Sequence, residues 1–188
     1  MFSGNHRAGA SIAVGMTSLA DRSDIVGTAE RVRRRAEQHE PAFKTRALVD
    51  ACFPTALVSG TRRLPSGITE AVSMTSEGPV ILYERRLTVP RQRFVIAHAL
   101  AHLLFDLEDP GAMCGVGHRG DPEAERRADD FAAELLLPLA WLHRLVGEEP
   151  TDVGESNDTL YMDQVDEIAS MFNVTQSLVD SRIRSLFR

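Results

Sequence analysis

The chain has 188 residues, a formal net charge of -6 and 43% hydrophobic residues. This length supports one domain with a full core, or one domain with a small helical addition, and the composition excludes wholesale disorder. The negative charge offers no general attraction to nucleic acid or to an anionic membrane. No apolar run is long enough to cross a bilayer and no signal-like leader begins the chain, so we expect a cytoplasmic protein.

The distribution of residue types along the chain predicts three parts. Residues 1–20 are rich in glycine, serine and alanine with little periodicity, and we expect a weakly ordered lead. Residues 21–147 carry the helical and extended patterns of the main domain. Residues 148–188 follow a polar link and are expected to form a C-terminal helical subdomain.

Two helices are predicted near the start of the main domain. Residues 23–38 carry an apolar stripe at helical spacing, with Ser23 or Asp24 as the N-cap, and a second helix is expected over residues 42–52 before Pro54. The first helix also carries a run of arginines beside several glutamates. We interpret that run as a solvated face rather than a nucleic-acid patch: Arg31, Arg33, Arg34 and Arg35.

The pattern then changes from helical to extended. Three β-prone runs, residues 55–62, 67–75 and 79–83, are separated by the turn sequences LPSG and SEG. We predict a small antiparallel three-stranded sheet, with the apolar run PVILY as its central strand. With the surrounding helices this gives an α+β fold.

The next helix, over residues 94–106, carries two histidines one turn apart. His98 and His102 stand at i and i+4, so their imidazoles project from one face and can share a metal ion. The spacing is that of the zinc-peptidase motif HExxH, except that Ala99 occupies the position of the glutamate. Taken alone, two such histidines fit a pair of hydrogen-bonded core residues equally well.

A third candidate ligand lies on a helix predicted to begin at Asp121 or Pro122 and to stop at Pro138. Glu125 begins the pattern E-x-x-A-x-x-F-A, whose small residues allow this helix to pack closely on the histidine helix. With Glu125 in this frame, a metal site formed by His98, His102 and Glu125 is favoured over core histidines.

Three further residues near this set are weaker candidates. Glu123 and Asp129 fit a helix N-terminal charge and a supporting or surface acid better than they fit ligands. His118 lies in the intervening loop, where it can orient a substrate or stabilise an oxyanion; a solvated loop histidine is the favoured interpretation.

The chain resembles the ImmA/IrrE-type metallopeptidases. Three segments carry the resemblance, in this order: RQRFVIAHALAH, EAERRADDFAAELLLP and VDEIASMFNVTQSLVDSRIRSL. The resemblance implies a zincin-like fold with zinc held by His98, His102 and Glu125, although Mn²⁺ or Fe²⁺ also suits such ligands. It further implies a protein substrate, a helix-turn-helix repressor whose cleavage controls a stress response or a mobile element.

Ala99 departs from the family pattern, in which a glutamate after the first histidine is the general base. Loss of such a group costs on the order of 10²- to 10⁴-fold in rate, so we expect the chain as given to be almost inactive with its metal ligands intact. An engineered Glu-to-Ala change is favoured. The alternative is a natural pseudoprotease, a binding module that sequesters a repressor or toxin without cutting it.

The C-terminal segment predicts two helices joined at residues 172–174, a spacing like that of a helix-turn-helix. Its acidic residues dilute its arginines, so we expect a structural and partner-docking role and no direct DNA binding.

Overall fold

Asp24 caps the first helix of the structure, a computed structural model that describes residues 24–107, 113–114, 121–147 and 155–187. The helices and strands of this part, in chain order, are α1 (Ile25–Arg35), α2 (Thr45–Cys52), β1 (Leu57–Thr61), β2 (Glu70–Thr75), β3 (Gly78–Glu84), α3 (Val89–Phe105), β4 (Met113–Cys114), α4 (Pro122–Leu136), α5 (Leu139–Val146), α6 (Glu155–Phe172) and α7 (Gln176–Leu186). The predicted α+β class is confirmed. Residues 1–20, the predicted lead, lie outside the described residues.

The arginine run on α1 does not form a uniformly solvated face. Arg33 is buried, and its guanidinium donates to the carbonyl of Leu135 and stacks 4.1 Å from the ring centre of Trp141. The guanidinium stays charged inside the protein because a carbonyl and an aromatic face receive it. The prediction was wrong for Arg33, because a helix pattern alone does not show which neighbour covers a charged side chain.

The sheet is mixed and has the strand order β1-β3-β2-β4. A two-residue turn joins β2 and β3 as an antiparallel hairpin, and β1 pairs with the other edge of β3 in parallel. The prediction of an antiparallel three-stranded sheet is therefore corrected. The chain reverses direction from β1 to β2 and again from β2 to β3, so β1 and β3 run the same way. Because β3 lies between the other two strands, it pairs in parallel with β1 and antiparallel with β2.

PVILY lies within β3, which has neighbours on both edges, so its expected interior place is confirmed. The short strand β4 pairs with Val72 and Ser73 of β2. It lies in a segment that the sequence predicted as loop, because two residues are too few to show a strand pattern.

α3 lies against the sheet on one side and against α4 on another. It begins at Val89, earlier than expected, because Pro90 lies in its first turn, where the absence of an N–H costs no hydrogen bond. Almost every side chain from Val95 to Leu103 is buried. The histidines are thus carried by a rigid, enclosed helix.

The two C-terminal helices share the core of the main domain. Buried residues of both helices, among them Phe172 and Val179, belong to the same apolar cluster as Leu100 of α3. Arg182 of α7 forms an ion pair with the buried Glu134 of α4 and donates to the carbonyl of Leu137. In the described part of the chain, no helix has the length and apolar character required to span a membrane.

Candidate metal centre

The two motif histidines of α3 face each other. The Nε2 atoms of His98 and His102 are 3.0 Å apart, and both side chains are buried. One helical turn separates the residues, so the spacing predicted from the sequence places both rings on the same face of the helix.

Glu125 completes the set from the first turn of α4. Its Oε2 lies 3.3 Å from Nε2 of His98, and its Oε1 lies 3.6 Å from Nε2 of His102. One ligand atom from each of the three residues lies within 4.8 Å of the other two. The structure therefore brings together the three residues that the sequence selected.

Local sequence explains why α4 delivers Glu125 to this place. Asp121 caps the helix by accepting a hydrogen bond from the backbone N–H of Glu123, which fixes the first turn. Ala128 and Ala132 are fully or almost fully buried, so the helices approach closely. Phe131 packs edge-on against Phe105 at 5.4 Å between ring centres.

The other ring nitrogen of each histidine is held by a carboxylate. Nδ1 of His98 lies 3.0 Å from Asp129, and Nδ1 of His102 lies 2.8 Å from Asp106, which Arg127 binds in turn at 2.6 Å. The supporting place that the sequence favoured for Asp129 agrees with this contact. Sequence reasoning missed Asp106 and Arg127, although Asp106 stands four residues after His102 on the same helix.

This arrangement fits a cation at the shared Nε2 face. An ionised carboxylate only accepts hydrogen bonds, so each Nδ1 carries the hydrogen and each Nε2 keeps its lone pair. Two lone pairs 3.0 Å apart, with both oxygens of Glu125 beside them, repel one another unless a proton or a metal cation lies between them. Among the described residues the group offers three donors from two helices, the number that catalytic zinc sites take from the protein.

The electrostatics of the site favour positive charge. Burial alone would lower the pKa of His98, but the hydrogen bond to Asp129 and the charges of Glu70, Asp129 and Glu125 raise it above its ordinary value. Burial would raise the pKa of Asp106, and hydrogen bonds from His102 and Arg127 lower it below its ordinary value. Asp106 therefore stays ionised beside the ring that it orients.

The other residues singled out from the sequence do not join the three candidate ligands. Ala99 is 0% exposed and belongs to the apolar core, so it offers the site no polar atom. Glu123 is exposed on the first turn of α4, in keeping with a helix N-terminal charge. His118 lies outside the described residues.

One residue beside the centre was not selected from the sequence. Glu70 of β2 places its Oε1 3.9 Å from Nε2 of His98. Both residues line a cleft of about 720 Å³ that runs between α3, α4 and α7. No sequence pattern distinguishes Glu70 from an ordinary solvent-exposed glutamate of a short strand. Its place beside His98 follows only from the packing of β2 on α3.

Comparison with known proteins gives one family. The model described as IrrE N-terminal-like domain, of the M78 peptidases, matches residues 60–184. No curated protein matches the chain. The matched range includes the end of β1, the other three strands, both helices of the centre and most of α7.

Proposed function

The chain belongs to the M78 peptidase family of IrrE N-terminal-like domains, and from this premise we propose that it is a zinc-dependent endopeptidase of transcriptional repressors. The proposed substrate is a helix-turn-helix repressor that controls a stress response or a mobile element. Family membership supports the coarser statement of a metallopeptidase. The substrate and the choice of zinc are parts of the proposal.

The observation that carries the proposal is the geometry of the donor set. The ligand atoms of His98, His102 and Glu125 converge within 4.8 Å of one another, and the carboxylates of Asp129 and Asp106 fix both rings. These outer partners hold each ring in one tautomer with Nε2 free to bind a metal. A zinc ion bound there supplies a Lewis acid that polarises a peptide carbonyl and acidifies water.

Metal analysis tests this centre. The purified chain should bind about one zinc ion, and His98→Ala, His102→Ala or Glu125→Gln should each reduce that occupancy strongly. Glu123→Gln is the matched control, because Glu123 is an exposed carboxylate on the same first turn of α4. Full zinc occupancy in Glu125→Gln would contradict the proposed ligand set. A thermal melt of each variant separates loss of metal from loss of fold.

The repressor part needs its own measurement. A repressor encoded beside the gene should be cut at a specific bond by the zinc-loaded Ala99→Glu protein, and a chelator should stop the cut. If every neighbouring repressor survives intact, the proposed substrate class is wrong.

A second candidate function is a non-catalytic binding module that sequesters a repressor or toxin. The buried methyl group of Ala99 favours it, because this position cannot accept or deliver a proton. Tight binding of an intact partner by the unchanged chain, with no cleavage by either the unchanged chain or Ala99→Glu, would select this candidate.

A further inference from the structure

Glu70 is a charged residue on the core-facing side of the sheet. Side chains alternate between the two faces along a strand, so Glu70 shares its face with Val72, which is buried. In the register of the hairpin, Glu70 pairs with Tyr83, and Val72 pairs with Ile81 of the core. A carboxylate at this end of the strand therefore points towards α3, and its side chain is only 17% exposed.

The carboxylate is held in a defined orientation. The hydroxyl of Thr69 donates a hydrogen bond to Oε2 of Glu70, while Oε1 faces Nε2 of His98 at 3.9 Å. The backbone around it is fixed as well, because the N–H of Glu84 donates to the carbonyl of Thr69. Glu70 thus stands beside the metal-facing nitrogen without belonging to the three-residue ligand group.

The other carboxylates near the site already make contacts with the two histidine rings. Asp129 and Asp106 bind the Nδ1 atoms of the two rings, and each oxygen of Glu125 faces one Nε2. Among the described residues, Glu70 is the remaining carboxylate that approaches Nε2 of His98. It also lines the cleft, whose volume of about 720 Å³ is of the size that holds a ligand segment.

We propose that Glu70 is the general acid/base of this protein and supplies from β2 the carboxylate that position 99 lacks. This inference rests on the proposed peptidase function. In the step, a water oxygen bonds to the peptide carbonyl carbon, and the proton released by the water passes to Glu70. Glu70 then gives this proton to the amide nitrogen as the C–N bond breaks, which yields a carboxylic acid and an amine.

A catalytic Glu70 would change the consequence of alanine at position 99. In the family pattern the helix supplies the acid/base carboxylate at position 99, whereas here Glu70 would supply it from the sheet. With Glu70 in place, alanine at position 99 is compatible with a working enzyme. The unchanged chain is then expected to be active.

The test compares the unchanged chain with Glu70→Gln, which keeps the size of the side chain and removes its ability to take a proton. Glu77→Gln is the matched control, since Glu77 is exposed in the turn between β2 and β3. Each zinc-loaded protein is incubated with a proteome-derived peptide library, and new peptide ends are counted by mass spectrometry. Glu70→Gln should lose about 10²- to 10⁴-fold in cleavage rate, while Glu77→Gln keeps the full rate.

A second readout does not depend on cleavage. Zinc content after dialysis should be the same in all three proteins, because Glu70 is outside the ligand group. With cobalt in place of zinc, the visible absorption should change in Glu70→Gln and stay unchanged in Glu77→Gln, because of these two residues only Glu70 approaches Nε2 of His98. Loss of zinc from Glu70→Gln, or an unaltered cobalt spectrum, would overturn the acid/base role.

Ala99→Glu separates failure of this inference from failure of the proposed function. Cleavage by Ala99→Glu with an inactive unchanged chain would overturn the role of Glu70 and leave the peptidase function standing. Absence of cleavage in both proteins, with zinc bound and the fold intact, would overturn the peptidase function itself.

Discussion

The carboxylates around the two histidines show how single residues set the properties of the centre. Arg127 donates a hydrogen bond to Asp106, and Asp106 binds Nδ1 of His102. Asp106 therefore fixes the direction of Nε2 of His102 although it does not itself face the shared Nε2 position. Such outer partners commonly change metal affinity as much as a weakened ligand does.

Asp106→Asn should therefore lower zinc affinity by about 10- to 100-fold, because an amide orients the ring and supports its basicity less well than a carboxylate. Competition with a chromophoric chelator measures the affinity. Asp130→Asn is the control, since Asp130 is an exposed acid of α4. Equal affinities of the two variants would show that the contact between Asp106 and His102 does not support the centre.

Cys52 gives a pH-dependent prediction at the same scale. Burial raises the pKa of its thiol to about 11, and the charge of Arg35 only partly opposes this effect. The ordinary value is 9.0, so on raising the pH the unfolded chain releases its thiol proton first. The free energy of unfolding should therefore be retained below that value and fall between the two pKa values.

The measurement is denaturant unfolding at about pH 8 and about pH 10, for the unchanged chain and for Cys52→Ala. The fall in the free energy of unfolding should be larger in the unchanged chain, because the variant has no thiol to titrate. Equal falls would show that the folded protein does not hold the thiol proton.

At the scale of elements, a buried ion pair joins α7 to α4. Arg182 binds Glu134 and also donates to the carbonyl of Leu137, at the end of α4. Both side chains are largely buried, so neither charge is compensated by water if its partner is removed.

Arg182→Ala should destabilise the protein by roughly 3–5 kcal/mol, because it removes the cation that pairs directly with the buried Glu134. Arg184→Ala, on the exposed side of the same helix, should change stability little. Thermal and denaturant unfolding measure both. A small effect of Arg182→Ala would mean that α7 docks through its apolar residues alone, whereas the double variant Arg182→Met with Glu134→Met should recover much of the loss.

At the scale of the whole molecule, the cleft joins the centre to the C-terminal helix α7. Ser181 of α7 lines the same space as His98 and Glu70. The helix-turn-helix-like segment therefore contributes a wall to the proposed substrate site, in addition to its part in the core. The absence of direct DNA binding, expected because acidic residues dilute the basic ones in this segment, stays a prediction.

The sequence by itself determined the features that depend on neighbouring residues. The spacing of His98 and His102 and the start of α4 at Pro122 follow from local periodicity and end signals, and the structure agrees with both. Glu125 was also found from the sequence, because its pattern of small residues predicted close packing against the histidine helix.

Only the tertiary structure decided the features that depend on distant residues. The parallel pairing of β1, the burial of Arg33 and the approach of Glu70 to His98 each arise where separate elements meet. Their energies come from strand register and from the removal of side chains from water, and neither is recorded in a local pattern. The candidate ligands could therefore be predicted from the sequence, whereas the carboxylate proposed to replace the one missing at position 99 could be identified only from the packing of β2 on α3.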